Sequence, residues 1–359
     1  MFHKSRVRFC MYLLCLALCP GIFRGTFQAQ AAQTITVIDD LEREIEIPFP
    51  VTRVIAFNRY NAEFFRAVGG IEVLVGIDEN ALKHEQYWPG FDAANVVGSS
   101  GSAEDPDYEK IVSLHPDVVV FARNSIWEEA AEKLKPFGIP VVVITGWDVE
   151  KHVENITLVG QMLGKQDRAE ELNRFYLDHM NLVAERLKDI PKKTIYLEKV
   201  PAFHTPLEGS GHHMMIVQAG GRSIFEHIKF SEQPQSKGNV HEFEIDPEHI
   251  LLSDPEVVVK YMQSDSYLPP TREELKAAYD ELVNRPGWDA LQAVKNNRIH
   301  VISFFPAGGC SKMVGVMYVA KWLYPELFED LDPDAVMREW LEKYQGVPYP
   351  GDYYYSPVQ

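Results

Sequence analysis

Residues Glu109 to Val120 return in altered form 139 positions later, at Glu248 to Val259, and this internal repeat limits the folds open to the chain. At that offset Pro116 meets Pro255, Asp117 meets Glu256, and the run Val118 to Val120 meets Val257 to Val259. Each copy reads as a helix, a turn and a buried strand. A supersecondary unit made twice implies two related sheets rather than one large one. Thr52 to Phe57 and Lys193 to Glu198 form a weaker second pair at nearly the same spacing.

Between the repeated units, short β-branched runs alternate with helical patterns. The expected strands are Arg53–Phe57, Val73–Ile77, Val118–Phe121, Val141–Ile144, Thr194–Leu197, Val257–Lys260 and Ile299–Ile302. Helical spacing covers Asn61–Val68, Tyr108–Leu114 and Trp127–Phe137. Alternation of this kind predicts an α/β fold of two Rossmann-like lobes with parallel sheets. From Asp167 to Ile190 there is no Gly or Pro, and Leu172, Phe175, Tyr176, Met180, Val183 and Leu187 recur at helical spacing. This segment predicts one long rigid helix joining the lobes, roughly 35 Å at 1.5 Å per residue. The expected organisation is therefore a lobe over 32–166, the linking helix over 167–190, and a second lobe over 191–359.

Lys4, Arg6 and Arg8 precede an uncharged stretch from Phe9 to Phe23, and Ala29-Gln30-Ala31 supplies a small-x-small pattern. Residues 1–31 read as an export signal cleaved after Ala31, placing the mature protein in the periplasm or at the cell surface. Leu18 ahead of Cys19 argues against lipidation. Cleavage would leave Cys310 as the one cysteine of four, so neither an internal disulfide nor a thiolate-built metal centre is expected. It would also remove four cations, taking the formal charge from −17 to −21 and disfavouring nucleic acid as a partner. No Gly-x-Gly-x-x-Gly, His-Glu-x-x-His or Gly-x-Ser-x-Gly occurs, and Gly160 to Gln166 lacks the magnesium-binding Ser or Thr of a phosphate loop. Binding without chemistry is expected, with no intrinsic cofactor. An exported hydrolase using a metal at Gly211 to His213 is the competing reading.

Seven pieces in order, among them Ala67-Val-Gly-Gly, Leu74-Val-Gly-Ile, Gly138-Ile-Pro-Val-Val-Val, Ala219-Gly-Gly-Arg-Ser-Ile-Phe and Ala293-Val-Lys-Asn-Asn-Arg-Ile, carry a resemblance over about Thr52 to Gln345. The chain resembles the Fe/B12 periplasmic-binding family, the ABC-importer receptors for iron-siderophore complexes, cobalamin and haem. The resemblance implies a monomer that captures a ferric chelate between its lobes and delivers it to a membrane permease and its ATPase. It implies docking glutamates at Glu109 and Glu248. Ligand contacts are expected on loops after strands: Asn58, Arg59, Tyr60, Arg123 and Trp147 on the first lobe, and His204, His212, His213, Glu242, Tyr261 and Phe304 on the second. Arg59 and Arg123 would neutralise an anionic chelate, and His212 or His213 would complete the metal's coordination. Ala103 departs from cobalamin and haem receptors, which often carry an aromatic residue there. Ala320 to Phe328 resembles receptors for molybdate or tungstate, which with cobalamin and haem are the alternative cargoes on the same scaffold. The aromatic tail from Tyr349 to Tyr355 lies beyond the family core, and packing across a lobe is its plain expectation.

Overall fold

The computed structural model describes residues 33–99, 105–262 and 266–357. The export segment and Ala103 lie outside them. The described residues open with an antiparallel hairpin, β1 (Thr34–Ile38) with β2 (Glu44–Pro48). The first lobe follows with β3 (Val54–Ala56), α1 (Arg59–Gly69), β4 (Leu74–Ile77), α2 (Tyr108–Ser113), β5 (Val118–Phe121), α3 (Trp127–Leu134), β6 (Val141–Val143) and α4 (His152–Leu163). Its sheet is wholly parallel in the order β4-β3-β5-β6. After α5 (Gln166–Arg186), the second lobe contains β7 (Lys193–Glu198), α6 (Gly211–Gln218), β8 (Gly221–Ser223), α7 (Pro247–Ser253), β9 (Val257–Met262), α8 (Arg272–Val283), β10 (Ile299–Ser303), α9 (Lys312–Leu323), α10 (Pro333–Glu339) and β11 (Tyr354–Tyr355). Its sheet runs β8-β7-β9-β10-β11, parallel except for the last strand.

The sequence repeat survives as repeated hydrogen bonding. Asp107 accepts from Lys110 N at 2.9 Å and caps α2, and Asp246, 139 residues on, accepts from Glu248 N at 2.9 Å and caps α7. Asp117 Oδ2 accepts from Thr52 N and Oγ1 at 2.7 and 3.0 Å, fastening the entry to β3. Glu256 Oε2 does the same for Thr194 on β7, at 2.7 and 3.2 Å. Ile111 and Ile250, again 139 apart, are both fully buried beneath these caps.

Alternation along the strands divides the core. Ile55, Val119, Phe121 and Val141 pack into a cluster private to the first lobe, and Tyr196, Val258, Ile299 and Val301 into one private to the second. The opposite faces, including Val54, Val118 and Val142 with Leu197, Val257 and Ile302, belong to one continuous apolar cluster. That shared cluster also takes in Phe175 and Tyr176 of α5, Phe305, and Tyr353 of the tail. Close packing of this kind resists displacement, so the two sheets are held as one body behind the cleft.

The linking helix ends earlier than the sequence reading placed it. It covers Gln166–Arg186, and Leu187 to Asp189 turn out of it, with Ile190 N donating to Leu187 O at 3.1 Å and Asp189 at φ 63°. With Asp189 left-handed and Pro191 biasing Ile190 away from helical dihedrals, the helix cannot resume beyond this turn. The helix contacts both lobes, packing on α4 and α1 and on α9.

Candidate functional site: the interlobe cleft

In parallel sheets the loops after the strands gather at one end, and here those of both lobes meet in a cleft. Asn58 follows β3 and caps α1, accepting from Tyr60 N at 3.0 Å while its own N–H donates to Asp78 Oδ2 at 2.9 Å. Its φ of 74° with ψ of 130° is a costly conformation for a side-chain-bearing residue, of order 1–3 kcal/mol, and such strain concentrates at ligand sites. Two adjoining cavities share Asn58 and Tyr60, one of about 540 Å³ and one of about 720 Å³. The smaller is closed by Trp147 from the first lobe and by His212, His241, Phe304 and Lys312 from the second.

Tyr60 stands on glycine. Gly309 has φ of 52°, and a Cβ there would lie 1.9 Å from Tyr60 Cδ1, so no other residue fits. Asn61 Oδ1 accepts from Gly146 N at 2.9 Å, fixing the loop that carries Trp147, whose ring meets Tyr60 edge-on at 6.3 Å.

Two buried lysines at the cleft are residues the sequence reading passed over: Lys312 lines the smaller cavity, and Lys199 stands against its His212 wall. Lys199, directly after β7, is 5% exposed, and Lys312, opening α9, is 4% exposed. Lys312 Nζ donates to Trp147 O at 2.9 Å across the cleft, and Lys199 Nζ stands 3.2 Å from His212 Nδ1. Among the described residues neither ammonium has a carboxylate within ion-pair distance. Burial pulls each lysine down to about 8, opposed only in part by the charge of Glu242 for Lys199 and chiefly by that of Asp148 for Lys312. Lys312 also sits at a helix N-terminus, the end that repels cations. His212 is held neutral by burial first, and then by the charges of Lys199 and Lys312. A cavity lined by one buried cation, Lys312, with a second, Lys199, against its His212 wall and no ion-paired anion at either, is electrostatically incomplete until it takes up negative charge.

The other expected contacts divide. Tyr261 is fully buried and supports the site from beneath, with its ring 5.0 Å from that of His212 and 5.0 Å from Lys199 Nζ. Glu242 acts on Lys199 through charge. Arg59 borders the larger cavity, but its side chain is only 10% exposed, pairs with Glu63 at 3.5 Å and packs on the Tyr60 and Phe305 rings. Arg123 pairs with Asp148 and lines neither cavity. His213 faces Glu208 and Glu226 away from both, and His204 Nδ1 lies 2.9 Å from Ala202 O. Among the described residues no three His, Cys, Asp or Glu side chains gather as metal ligands. Lys199 was findable, since it comes after a strand as Asn58 does. Nothing in the run Gly308-Gly-Cys-Ser-Lys312 signals a buried lysine.

Glu109 and Glu248 are exposed, each at the second position of its helix and each beside its capping aspartate.

Two lobes, a rigid backing and a charged, open cleft define a solute-binding protein of the ABC-transporter type. Residues 54–304 match the periplasmic binding protein family, and the chain belongs to it. It is 24% identical over 358 residues to the molybdate-binding protein MolA of Haemophilus influenzae, covering 91% of this chain and 95% of that one. It is 23% identical over 231 residues to an iron-uptake system-binding protein of Bacillus subtilis, covering 60% and 64%. Among solved structures, the TroA-like periplasmic binding protein FepB of Veillonella parvula superposes with a TM-score of 0.75 at 23% identity, covering 90% of this chain and 99% of that one. The family is one of binding proteins rather than enzymes. Among the described residues no helix is long and apolar enough to cross a membrane.

Proposed function

We propose that this chain is the exported receptor of an ABC importer whose cargo is a small metal-bearing anion, a ferric chelate of siderophore type, held between the lobes. The observation that carries the reading is a pair of buried lysines without a carboxylate partner among the described residues, Lys312 in the lining of the cleft and Lys199 against its His212 wall. Two adjoining cavities of about 540 and 720 Å³ offer far more room than a four-oxygen anion fills, which favours a chelate. A molybdate-type oxyanion is the second reading, favoured by the nearly full-length similarity to the molybdate-binding relative. His212, Tyr60 and Trp147 would surround the ligand, its oxygens would accept from the Lys312 ammonium, and the Lys199 charge would act on it from against His212. Glu109 and Glu248, equivalent positions on the two lobes, would dock on the permease, with export of the chain bringing them to its outer face.

Tryptophan fluorescence titration of the purified protein decides the cargo, using a ferric tris-catecholate, ferric citrate, haem, cobalamin and molybdate in turn. Saturable quenching by an anionic ferric complex supports the reading. Binding of cobalamin alone, or of no member of the panel, would refute it.

A further inference from the structure

The aromatic tail, to which the sequence assigns no role, reaches the cleft. We propose that Tyr353 is a positioning residue for the binding site, setting through Phe305 and Arg59 where the Tyr60 ring stands. The inference rests on the reading that the cleft bordered by Tyr60 receives the solute.

The tail adds β11 to the edge of the second sheet, and Ser303 N donates to Tyr353 O at 2.7 Å. Tyr353 is thereby fully buried, and its ring lies nearly parallel to that of Phe305, 15° apart with centroids at 5.4 Å. The Arg59 guanidinium carbon is 4.5 Å from the centre of the Phe305 ring and 4.7 Å from that of Tyr60. Four planar groups thus run in succession from the tail to the cleft wall. Each contact prefers a defined offset, because a cation and an aromatic quadrupole attract most strongly over the ring. A Cβ at Gly309 would lie 1.9 Å from Tyr60 Cδ1 and one at Gly308 2.9 Å from its hydroxyl, so the missing side chains give the Tyr60 ring its space and leave Arg59 to set where in it the ring stands. Removing the last plate lets Phe305 tilt, and Arg59 and Tyr60 follow.

The other ties of Tyr353 hold the tail rather than the cleft. Its hydroxyl donates to Tyr267 O, and Tyr267 in turn donates to Pro348 O. The ring contact and the hydroxyl contact can therefore be separated by substitution.

The test uses full-length protein labelled with ring-¹³C tyrosine, with the Tyr60 resonance assigned by its loss in Tyr60→Phe. In Tyr353→Leu, which keeps apolar bulk but not the plate, the Tyr60 ring signals should shift. The Kd for a ferric tris-catecholate or molybdate should rise about fivefold, with cooperative unfolding retained. Tyr353→Phe, which keeps the ring and drops the hydroxyl, should restore both readouts. A purely structural tail would lower Tm without moving the Tyr60 signals. Wild-type Tyr60 shifts in a folded Tyr353→Leu protein would overturn the proposal whatever the affinity. If that variant does not fold, Phe305→Leu breaks the next link and is judged by the same criterion. If neither probe binds the wild-type protein, the cargo reading is lost, while the ring signals still decide the positioning claim.

Discussion

Lys312 Nζ donates to Trp147 O at 2.9 Å, so a side chain at the head of a second-lobe helix is tied to a first-lobe loop across the cleft. A backbone carbonyl carries only a partial charge and satisfies one of the three ammonium protons. The bond positions the cation without neutralising it, which keeps it available to an anion.

Replacing this cation should separate affinity from stability. Lys312→Met should weaken binding of the anionic cargo more than about tenfold, near 1.4 kcal/mol. Because it removes a buried charge that no carboxylate pairs, Tm should hold or rise. Titration calorimetry beside a thermal melt measures both, and a fall in Tm with unchanged Kd would contradict the assignment.

Binding should be lost as the solution becomes alkaline. Both lysines are lowered to about 8, so they are mainly charged below that pH and lose charge above it. Affinity should be flat on the acid side of pH 8 and then fall, each lysine contributing up to about tenfold per pH unit. For folding the sign is opposite. The unfolded chain keeps these protons up to its ordinary lysine pKa, so their burial cost is relieved as pH rises from about 8 toward 10.5, and this part of stability increases over that range. Kd measured from pH 6 to pH 9.5 checks the binding limb.

The neighbouring histidines should behave differently. His212 closes the cavity and is held by Lys199, whereas His213 lines neither cavity. His212→Ala should raise Kd by about tenfold and His213→Ala by less than about twofold. Equal effects in a fluorescence titration would contradict this placement.

Docking should be separable from capture. Glu109→Arg with Glu248→Arg changes two exposed positions remote from the cavity lining, so Kd should be unchanged while uptake through the permease is abolished. Transport by the double variant at the wild-type rate would end the docking assignment.

Beneath the second-lobe sheet, Glu198 should prove structural. It is fully buried and accepts from Lys260 at 2.8 Å, from Arg285 at 2.7 and 2.9 Å, and from Phe203 N at 3.0 Å. Burial alone would raise its pKa, but Arg285 and Lys260 outweigh that and lower it. Glu198→Ala leaves Lys260 without a carboxylate and Arg285 with Glu281 alone, and should cost about 3–5 kcal/mol, read as a large drop in Tm.

The repeat at Glu109 and Glu248 was legible because a capped helix feeding a buried strand is a local device, written in Asp107 and Asp246, the paired prolines and the valines. The seven expected strands were legible for the same reason, to within a residue or two at their ends, whereas the hairpin β1–β2, the short β8 and the tail strand β11 were not. The cleft was legible only in part. Asn58, Tyr60, Trp147, His212 and Phe304 were reached by a rule of topology that names a position and not a direction; Tyr60 and His212 lie in the first turns of α1 and α6 rather than on loops. Arg59 and Arg123 obey the rule yet turn to Glu63 and Asp148, because nearby carboxylates compete for exposed or half-buried guanidinium groups.

The sequence by itself determined the two lobes and the helix between them, which arise from hydrophobic periodicity and short-range signals, while the family came from motifs that resemble those of its members. Tertiary structure alone decided the charge of the binding site. Lys199 and Lys312 lie 113 residues apart on different elements, and their electrostatics depend on which carboxylates fail to come near them. No local pattern records that, because burial and the absence of a partner are properties of the packed chain and not of any segment in it.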